Sequence, residues 1–226
     1  MEYLKAFAAL GTRFLRPPDV LQRNLGQIKA LLFDWDGVFN DGWRDANGGS
    51  PFSEVGSMGV NLLRFALWQR EKQRVPCGVI TGQQNSLAER FTEREKFNDL
   101  FMGFTNKPAA FDEFLRRHSL DARQVAFFFD DILDLPIARR CGFRVMIKRR
   151  NSPLFENHVV AKGDADLLTH FSGGENGLRE ACELMLGLVG RADDVIEHRV
   201  RYSDVYQEYL ADRALVEREV VSNNRQ

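Results

Sequence analysis

Short and almost uniformly apolar segments recur along the chain, separated by segments with helical periodicity. Such a segment without polar alternation is typical of a strand covered by helices on both faces of a sheet. The alternation predicts an α/β fold of the Rossmann-like, three-layer kind with a central parallel sheet. The predicted strands are Ala30–Phe33, Cys77–Ile80, Val125–Phe129, Phe143–Ile147 and Ala165–Thr169, and the predicted helices are Val60–Gln73, Ser86–Arg94, Pro108–His118 and Pro136–Arg140.

Three segments interrupt this alternation. Residues 1–18 predict a short amphipathic helix that Pro17 and Pro18 stop. The glycine-rich segment Asp41–Gly56, called the flap below, predicts a loop or a small β-hairpin. After Gly190 the pattern predicts one long helical tail. The expected organisation is an N-terminal helical extension over 1–27, a central α/β domain over 28–190 and a C-terminal helical tail over 191–226.

Composition and charge narrow the class of protein. With 44% hydrophobic and 28% charged residues, the 226-residue chain can bury a large core. A net charge of −1 gives no support for binding to nucleic acid or to an anionic membrane. No apolar run is long enough for a membrane span, no secretory signal is recognisable, and the three cysteines lack metal-binding spacing. We therefore expect a cytoplasmic protein with buried, reduced thiols.

The candidate chemistry lies at the carboxyl ends of the predicted strands, where active sites of open parallel sheets form. Acidic residues follow two of these strands, a threonine-glycine pair follows a third, and a lysine precedes a helix between them. The residues are Asp34 and Asp36, Thr81 and Gly82, Lys107, and Asp130 with Asp131 and Asp134. Each alone is more often a turn, a helix cap or a surface residue. Their joint occurrence at one edge favours a functional site.

This set of residues suits phosphoryl transfer. Carboxylates from two strands can hold Mg²⁺ through oxygen. Thr81, Gly82 and Lys107 can bind a phosphate, while Asp34 attacks phosphorus and forms an aspartyl-phosphate. Asp36 can protonate the leaving group and later activate water. The prediction is a magnesium-dependent phosphomonoester hydrolase.

The same residues resemble the signature motifs of the haloacid dehalogenase (HAD) superfamily of aspartate-nucleophile phosphatases. The motifs are Asp34-Trp35-Asp36-Gly37, Ile80-Thr81-Gly82, Lys107, and Asp130-Asp131 with Asp134. The segment DWDGVFNDG, the segment FDDILDLP and the late Gly173-Gly174 pair are similar to the capless branch that contains the 3-deoxy-D-manno-octulosonate 8-phosphate phosphatases.

The resemblance implies a role for each matching position. Asp34 is implied as nucleophile and metal ligand, and Asp36 as acid/base that binds metal through its carbonyl. Asp130 is implied as the second metal ligand, with Asp131 as a possible third. A small phosphorylated metabolite, for example a sugar phosphate, is the implied partner. The branch also implies a homo-oligomer, commonly a tetramer, in which a neighbouring subunit covers the open site.

Several positions depart from the branch. Phe129 replaces a glycine, Gln83 and Glu175 replace arginines, and Gly56 lies where the branch has an aspartate. Loss of arginine, the usual partner of a carboxylate, predicts a changed substrate, with a neutral or non-sugar phosphomonoester as one option.

Three alternatives stay open. One is the same chemistry on another substrate, such as a nucleotide or phosphoglycolate. Another is a catalytically degenerate HAD-fold binding or assembly protein. The third is a phosphoacceptor receiver domain, which the acidic cluster after Lys107 argues against.

Overall fold

A computed structural model describes residues 2–223 of the chain. The strands are β1 (Arg13–Phe14), β2 (Ala30–Asp34), β3 (Cys77–Thr81), β4 (Asp99–Met102), β5 (Val125–Phe129), β6 (Phe143–Lys148), β7 (Leu167–Ser172) and β8 (Glu219–Ser222). The α-helices are α1 (Glu2–Leu10), α2 (Pro18–Gly26), α3 (Glu54–Glu71), α4 (Ser86–Arg94), α5 (Lys107–His118), α6 (Leu135–Ala138), α7 (Pro153–Lys162), α8 (Gly177–Val189), α9 (Ala192–Val200) and α10 (Asp204–Ala214).

The strands of this described region form one sheet in the order β1-β7-β6-β5-β2-β3-β4-β8. All neighbouring pairs are parallel except β1 with β7. Every residue of β2, β3 and β5 is buried, as their uniformly apolar sequences predict. The α/β fold with a mostly parallel central sheet is therefore confirmed. Its centre is β2, whose neighbours are β3 and β5.

Side chains of the central strands alternate between two apolar layers, one on each face of the sheet. Phe33 and Phe128 stack at 4.5 Å in the layer that α3 and α8 cover. Leu32, Phe127 and Phe129 lie in the other layer, together with side chains of α5 and α6. Burial on both faces fixes the register of β2. Its last residue, Asp34, therefore lies where the central strands end, at the carboxyl side of the sheet.

The N-terminal segment departs from the sequence prediction. Helix α1 ends at Leu10, and the chain then forms β1, which pairs with Leu167 and Leu168 of β7. Pro17 and Pro18 do not stop a helix but begin α2. A proline at the first helical turn loses no hydrogen bond, because the N–H groups there have no intrahelical partner.

The prediction of one long helical tail is also wrong in part. Helix α9 is separated from α10 by Tyr202, whose φ is +46°, and by Ser203, whose hydroxyl caps α10 at the N–H of Tyr206. After α10 the chain forms β8, which pairs in parallel with β4. Its strand-forming residues Glu219–Ser222 follow the helical pattern without a glycine or proline to mark the change.

The flap forms a loop, which was one of the two predicted forms; no β-hairpin is present among its residues. A tight turn closes it, since the N–H of Asp45 donates to Gly49 O at 2.8 Å. Helix α3 begins at Glu54, six residues before the predicted start, because Ser53 caps it at the N–H of Val55. Only the flap and α3 lie between β2 and β3, so no cap domain is inserted there.

Candidate active site

Asp34, at the end of β2, is 5% exposed and is held by the side chain of Lys107. The Nζ of Lys107 donates to Asp34 Oδ1 at 2.6 Å and to Asp134 Oδ1 at 2.6 Å. Lys107 is the first residue of α5, and the packing of Phe111 and Phe114 in the core fixes that helix beneath the sheet edge. The buried ammonium group therefore bridges two carboxylates from different strand ends.

Burial and neighbouring charge shift the pKa values in this cluster. Burial, followed by the negative charge of Asp134, raises the pKa of Asp34 from 3.8 to about 7, against the opposing effect of Lys107. Burial would lower the pKa of Lys107, but the two carboxylates outweigh it and raise that pKa above its ordinary value. Without a further cation, Asp34 is thus only partly ionised at neutral pH.

Asp130, which follows β5, is 1% exposed and completes the buried acidic cluster. Oxygens of Asp34, Asp130 and Asp134 lie within 4.8 Å of one another. Both carboxylate oxygens of Asp130 lack a hydrogen bond within residues 2–223. Arg149 Nε lies 2.7 Å from its Oδ2, but not in hydrogen-bond alignment. Burial raises the pKa of Asp130 well above its usual range, and the charges of Asp34 and Asp134 add to this effect.

Gly37 allows Asp130 to take this position. Its φ is +88°, and a Cβ there would lie 1.9 Å from Asp130 Oδ2. The glycine of the first motif is thus required both by its backbone conformation and by the close approach of the carboxylate. Gly173 packs on the same loop, where a Cβ would lie 2.3 Å from Gly37 O.

The structure separates the two aspartates that follow Asp130. Asp131 turns outward, where its Oδ1 accepts from the N–H of Ile132 at 2.7 Å and its Oδ2 lies 3.0 Å from Arg149 Nη1. Asp134 is fully buried and reaches inward to Lys107. Sequence reasoning assigned no role to Asp134 and kept Asp131 as a possible ligand. Asp134 follows Asp130 by four residues, about one helical turn, which can return its side chain to the side of Asp130, and this spacing was the signal for it.

Thr81 and Gly82 lie on the opposite side of β2 from Asp130. Thr81 is fully buried and follows Ile80, which pairs with Asp34 in the β2–β3 register. Within residues 2–223, the contact to its Oγ1 is a long one, 3.5 Å from the N–H of Gln83. A Cβ added to Gly82 would meet nothing within 4 Å, so the backbone there faces open space. These positions could hold an anion beside Asp34 and Lys107.

The Asp36 side chain contacts the flap rather than the buried cluster. Its Oδ2 accepts from Arg44 Nη2 at 2.7 Å, and its Oδ1 accepts from Ser50 Oγ at 2.5 Å. This leaves the predicted metal contact of Asp36 to its backbone carbonyl. Neither Arg44 nor Ser50 was singled out in the sequence, because both lie in an irregular loop without periodicity.

The four departures from the branch have different surroundings. Phe129 is fully buried and stacks on Phe127 at 5.9 Å, so the core accommodates it. Gly56 is buried within α3, where a Cβ would lie 3.8 Å from Leu178. Gln83 and Glu175 are exposed, and Glu175 pairs with Arg150 at 2.9 Å.

The donor set fits a hard divalent cation. Asp34 and Asp130 present oxygens from two strand ends, and the oxygens of Asp130 are buried without hydrogen bonds. Buried carboxylate oxygens without hydrogen bonds are unfavourable unless nearby positive charge or a proton compensates them, and a divalent cation would add to the charge that Arg149 supplies at Oδ2. Oxygen-only ligands at an open sheet edge suit Mg²⁺ better than a soft transition metal.

Comparisons with known proteins agree with this fold. No protein-family profile matches the chain. The 3-deoxy-D-manno-octulosonate 8-phosphate phosphatase KdsC of Salmonella typhi is 27% identical over 191 residues, covering 84% of this chain and 96% of that protein. A HAD-superfamily subfamily III A hydrolase from Legionella pneumophila superposes with a TM-score of 0.67 at 26% identity, covering 81% of this chain and 95% of its own.

A third similar protein shares the fold at lower identity. The 3-deoxy-D-manno-octulosonate 8-phosphate phosphatase from Moraxella catarrhalis, solved with magnesium, phosphate and KDO, has a TM-score of 0.64 at 21% identity. It covers 80% of this chain and 98% of its own.

The class to which the chain is similar is that of the HAD-type phosphatases, and the resemblance predicted from the motifs is confirmed. Within that class, the chain is similar to proteins named as octulosonate-phosphate phosphatases. The expectation of a phosphatase is confirmed by the same similarity. No described helix has the length and apolar character needed to cross a bilayer.

Proposed function

We propose that the chain is a magnesium-dependent phosphomonoester hydrolase that works through an aspartyl-phosphate on Asp34. The observation that carries this proposal is the Lys107–Asp34 contact beside a buried Asp130 carboxylate that has no hydrogen bond. A nucleophilic carboxylate needs a cation to offset its charge as it approaches a phosphate dianion, and Lys107 supplies one. Asp34 and Asp130, with the carbonyl of Asp36, would hold Mg²⁺, which when bound neutralises charge on the transferring phosphoryl group.

The residues of the chain divide the reaction into two steps. In the first, Asp34 forms a bond to phosphorus, the bond from phosphorus to the leaving oxygen breaks, and Asp36 donates a proton to that oxygen. In the second, Asp36 takes a proton from water, the water oxygen bonds to phosphorus, and the bond to Asp34 breaks. Thr81, the Gly82 backbone and Lys107 bind the phosphoryl oxygens throughout.

The nucleophile assignment is tested with p-nitrophenyl phosphate and MgCl₂. We expect turnover by the native protein, and a loss of at least about 10³-fold in Asp34→Asn, because an amide forms no acyl-phosphate. The covalent step is tested with a substrate radiolabelled in its phosphoryl group. Label that stays on native protein after an acid quench, and is absent from Asp34→Asn, would support this step. Turnover that survives in Asp34→Asn would contradict the proposal. A folded native protein without any turnover would favour the degenerate binding protein.

We also propose that the substrate differs from octulosonate 8-phosphate, which the similar proteins are named for. Gln83 and Glu175 are exposed and lack the positive charge of the branch, and Glu175 is already paired with Arg150. A carboxylate of a sugar acid would therefore lose two arginine partners at these positions. A panel of sugar, nucleotide and small-acid phosphates tests this. A clear preference for the octulosonate phosphate would overturn it.

The proposal extends to a homo-oligomeric assembly and a cytoplasmic location. Large apolar side chains are exposed in the segments that follow β2, β5 and β6: Trp43 is 77% exposed, Leu133 60% and Leu154 83%. Such a group of side chains supports a homo-oligomer, which we propose to be a tetramer. Light scattering coupled to size exclusion measures this directly, and a monomer would contradict it. The three buried, free cysteines support a cytoplasmic location.

A further inference from the structure

The flap makes both side-chain contacts to the carboxylate of Asp36. Arg44 Nη2 donates to Oδ2 at 2.7 Å, and Ser50 Oγ donates to Oδ1 at 2.5 Å. With one donor on each oxygen, the carboxylate plane is fixed as well as its position. The Asp36 side chain is still 27% exposed, so it remains open to a group arriving from solvent.

Arg44 is itself anchored on two other segments. Its Nη1 donates to Gly48 O within the flap at 2.9 Å and to Gln84 O in the loop after β3 at 3.3 Å. The guanidinium group thus joins the flap, the first motif and the loop that follows Thr81. A planar fork with fixed donor directions transmits the position of these loops to Asp36 better than a flexible ammonium group could.

Ser50 is fully buried, and its hydroxyl proton has one available direction. Asn85 caps α4 by accepting from the N–H of Leu87 and Ala88, so its Nδ2 must face Ser50 Oγ, at 2.6 Å. Trp35 Nε1 also donates to Ser50 Oγ, at 2.9 Å. Because both neighbours are donors, the hydroxyl proton can go only to Asp36. The network therefore aligns Ser50 toward the carboxylate.

We propose that Arg44 is a positioning residue for Asp36, with Ser50 as the second point of the same clamp. The proposal rests on the acid/base role of Asp36 in the proposed function. Proton donation to a leaving oxygen depends steeply on the distance and angle of the donor, so loosening the clamp lowers the rate of that step. The effect must be greatest for alkyl leaving groups, which need a proton, and small for p-nitrophenolate, which leaves without one.

The experiment compares Arg44→Met with the native protein on two substrates, p-nitrophenyl phosphate and an alkyl phosphate such as glycerol 2-phosphate. The value of kcat/KM reports the steps up to departure of the leaving group, so it isolates proton donation from later hydrolysis of the acyl-phosphate. We expect kcat/KM to fall at least about tenfold more on the alkyl substrate than on the aryl one. Arg44→Lys should recover part of that difference, and Ser50→Ala should show the same selectivity.

A matched control separates positioning from general loosening of the flap. Arg94 holds Glu54, at the end of the flap, through two contacts, but touches neither Asp36 nor Arg44. Arg94→Met should therefore change both substrates to the same degree. Equal losses on both substrates in Arg44→Met, or a selective loss in Arg94→Met, would overturn the positioning role. Failure of the proposed function looks different, because native protein would then hydrolyse neither substrate, or Asp34→Asn would hydrolyse both.

Discussion

The buried acidic cluster predicts that a divalent cation stabilises the fold, and that Asp130 carries most of this effect. Asp34, Asp130 and Asp134 bring three carboxylates within 4.8 Å, and Lys107 and Arg149 are the cations that contact them among residues 2–223. We therefore expect MgCl₂ to raise the unfolding midpoint of native protein. Asp130→Asn should abolish that response.

The size of the expected change in stability follows from the burial of the carboxylates and from mass action of the cation. Raising the pKa of Asp34 from 3.8 to about 7 means that ionising it in the metal-free fold at pH 8 costs on the order of 4 kcal/mol. A cation at about 100 times its Kd adds roughly 2.7 kcal/mol of stability, which for a chain of this size raises Tm by about 5–10 °C. Asp130→Asn removes one buried charge, so its metal-free form should be more stable than native protein by about 1–3 kcal/mol.

The assay is thermal unfolding at pH 8 in EDTA and in 10 mM MgCl₂, with Asp131→Asn as the matched control. Asp131 follows Asp130 directly, but its side chain is half-exposed and faces Arg149 and the N–H of Ile132. We expect native protein and Asp131→Asn to show the full Tm increase, and Asp130→Asn less than about 2 °C. A native protein indifferent to Mg²⁺, or an Asp130→Asn variant with the native response, would refute the assignment.

Three further predictions concern the same cluster. Lys107→Met leaves two buried carboxylates without their cation, so urea unfolding in EDTA at pH 8 should show a loss of about 3–5 kcal/mol, whereas a loss below 1 kcal/mol would contradict the bridging role. Gly37→Ala places a Cβ 1.9 Å from Asp130 Oδ2 at φ +88°, so we expect at least about 2 kcal/mol of destabilisation and a weaker Mg²⁺ response in the same unfolding assay. The folded chain binds the Asp34 proton more tightly than the unfolded chain does, so protonated Asp34 stabilises the fold. This contribution is fully present below pH 3.8 and is lost as pH rises through about 7. Urea midpoints in EDTA between pH 5.5 and 8 should therefore fall more steeply for native protein than for Asp34→Asn, and parallel curves would contradict this.

The central part of the fold could be predicted because its strands carry a strong signal. β2, β3 and β5 are buried on both faces, so their sequences are apolar throughout and end abruptly at Asp34, Thr81 and Asp130. In a parallel sheet those three ends necessarily meet at one edge. Sequence position alone was therefore enough to expect the acidic cluster there.

The edges of the sheet could not be predicted in this way. β4 has only four residues and begins with Asp99, a charge buried by contacts to Arg117 and His118. β8 is paired only with β4, so most of its side chains stay exposed and its pattern lacks an apolar run. Both strands exist because of partners distant in sequence, which local periodicity does not report.

Burial also separates the positions proposed for the chemistry from those proposed to set the substrate. Asp34, Lys107 and Asp130 are each at most 5% exposed, and Lys107 contacts Asp34 and Asp134, so loss of the lysine leaves two carboxylates without their cation in the interior. Gln83 and Glu175 are exposed at the rim, and replacing them disturbs no core contact. Because the ionised carboxylates of Asp34 and Asp130 destabilise the metal-free fold, stability alone does not retain them, whereas binding of a cation would. The proposed change of substrate would therefore act at the exposed rim, while the buried set holds the proposed chemistry.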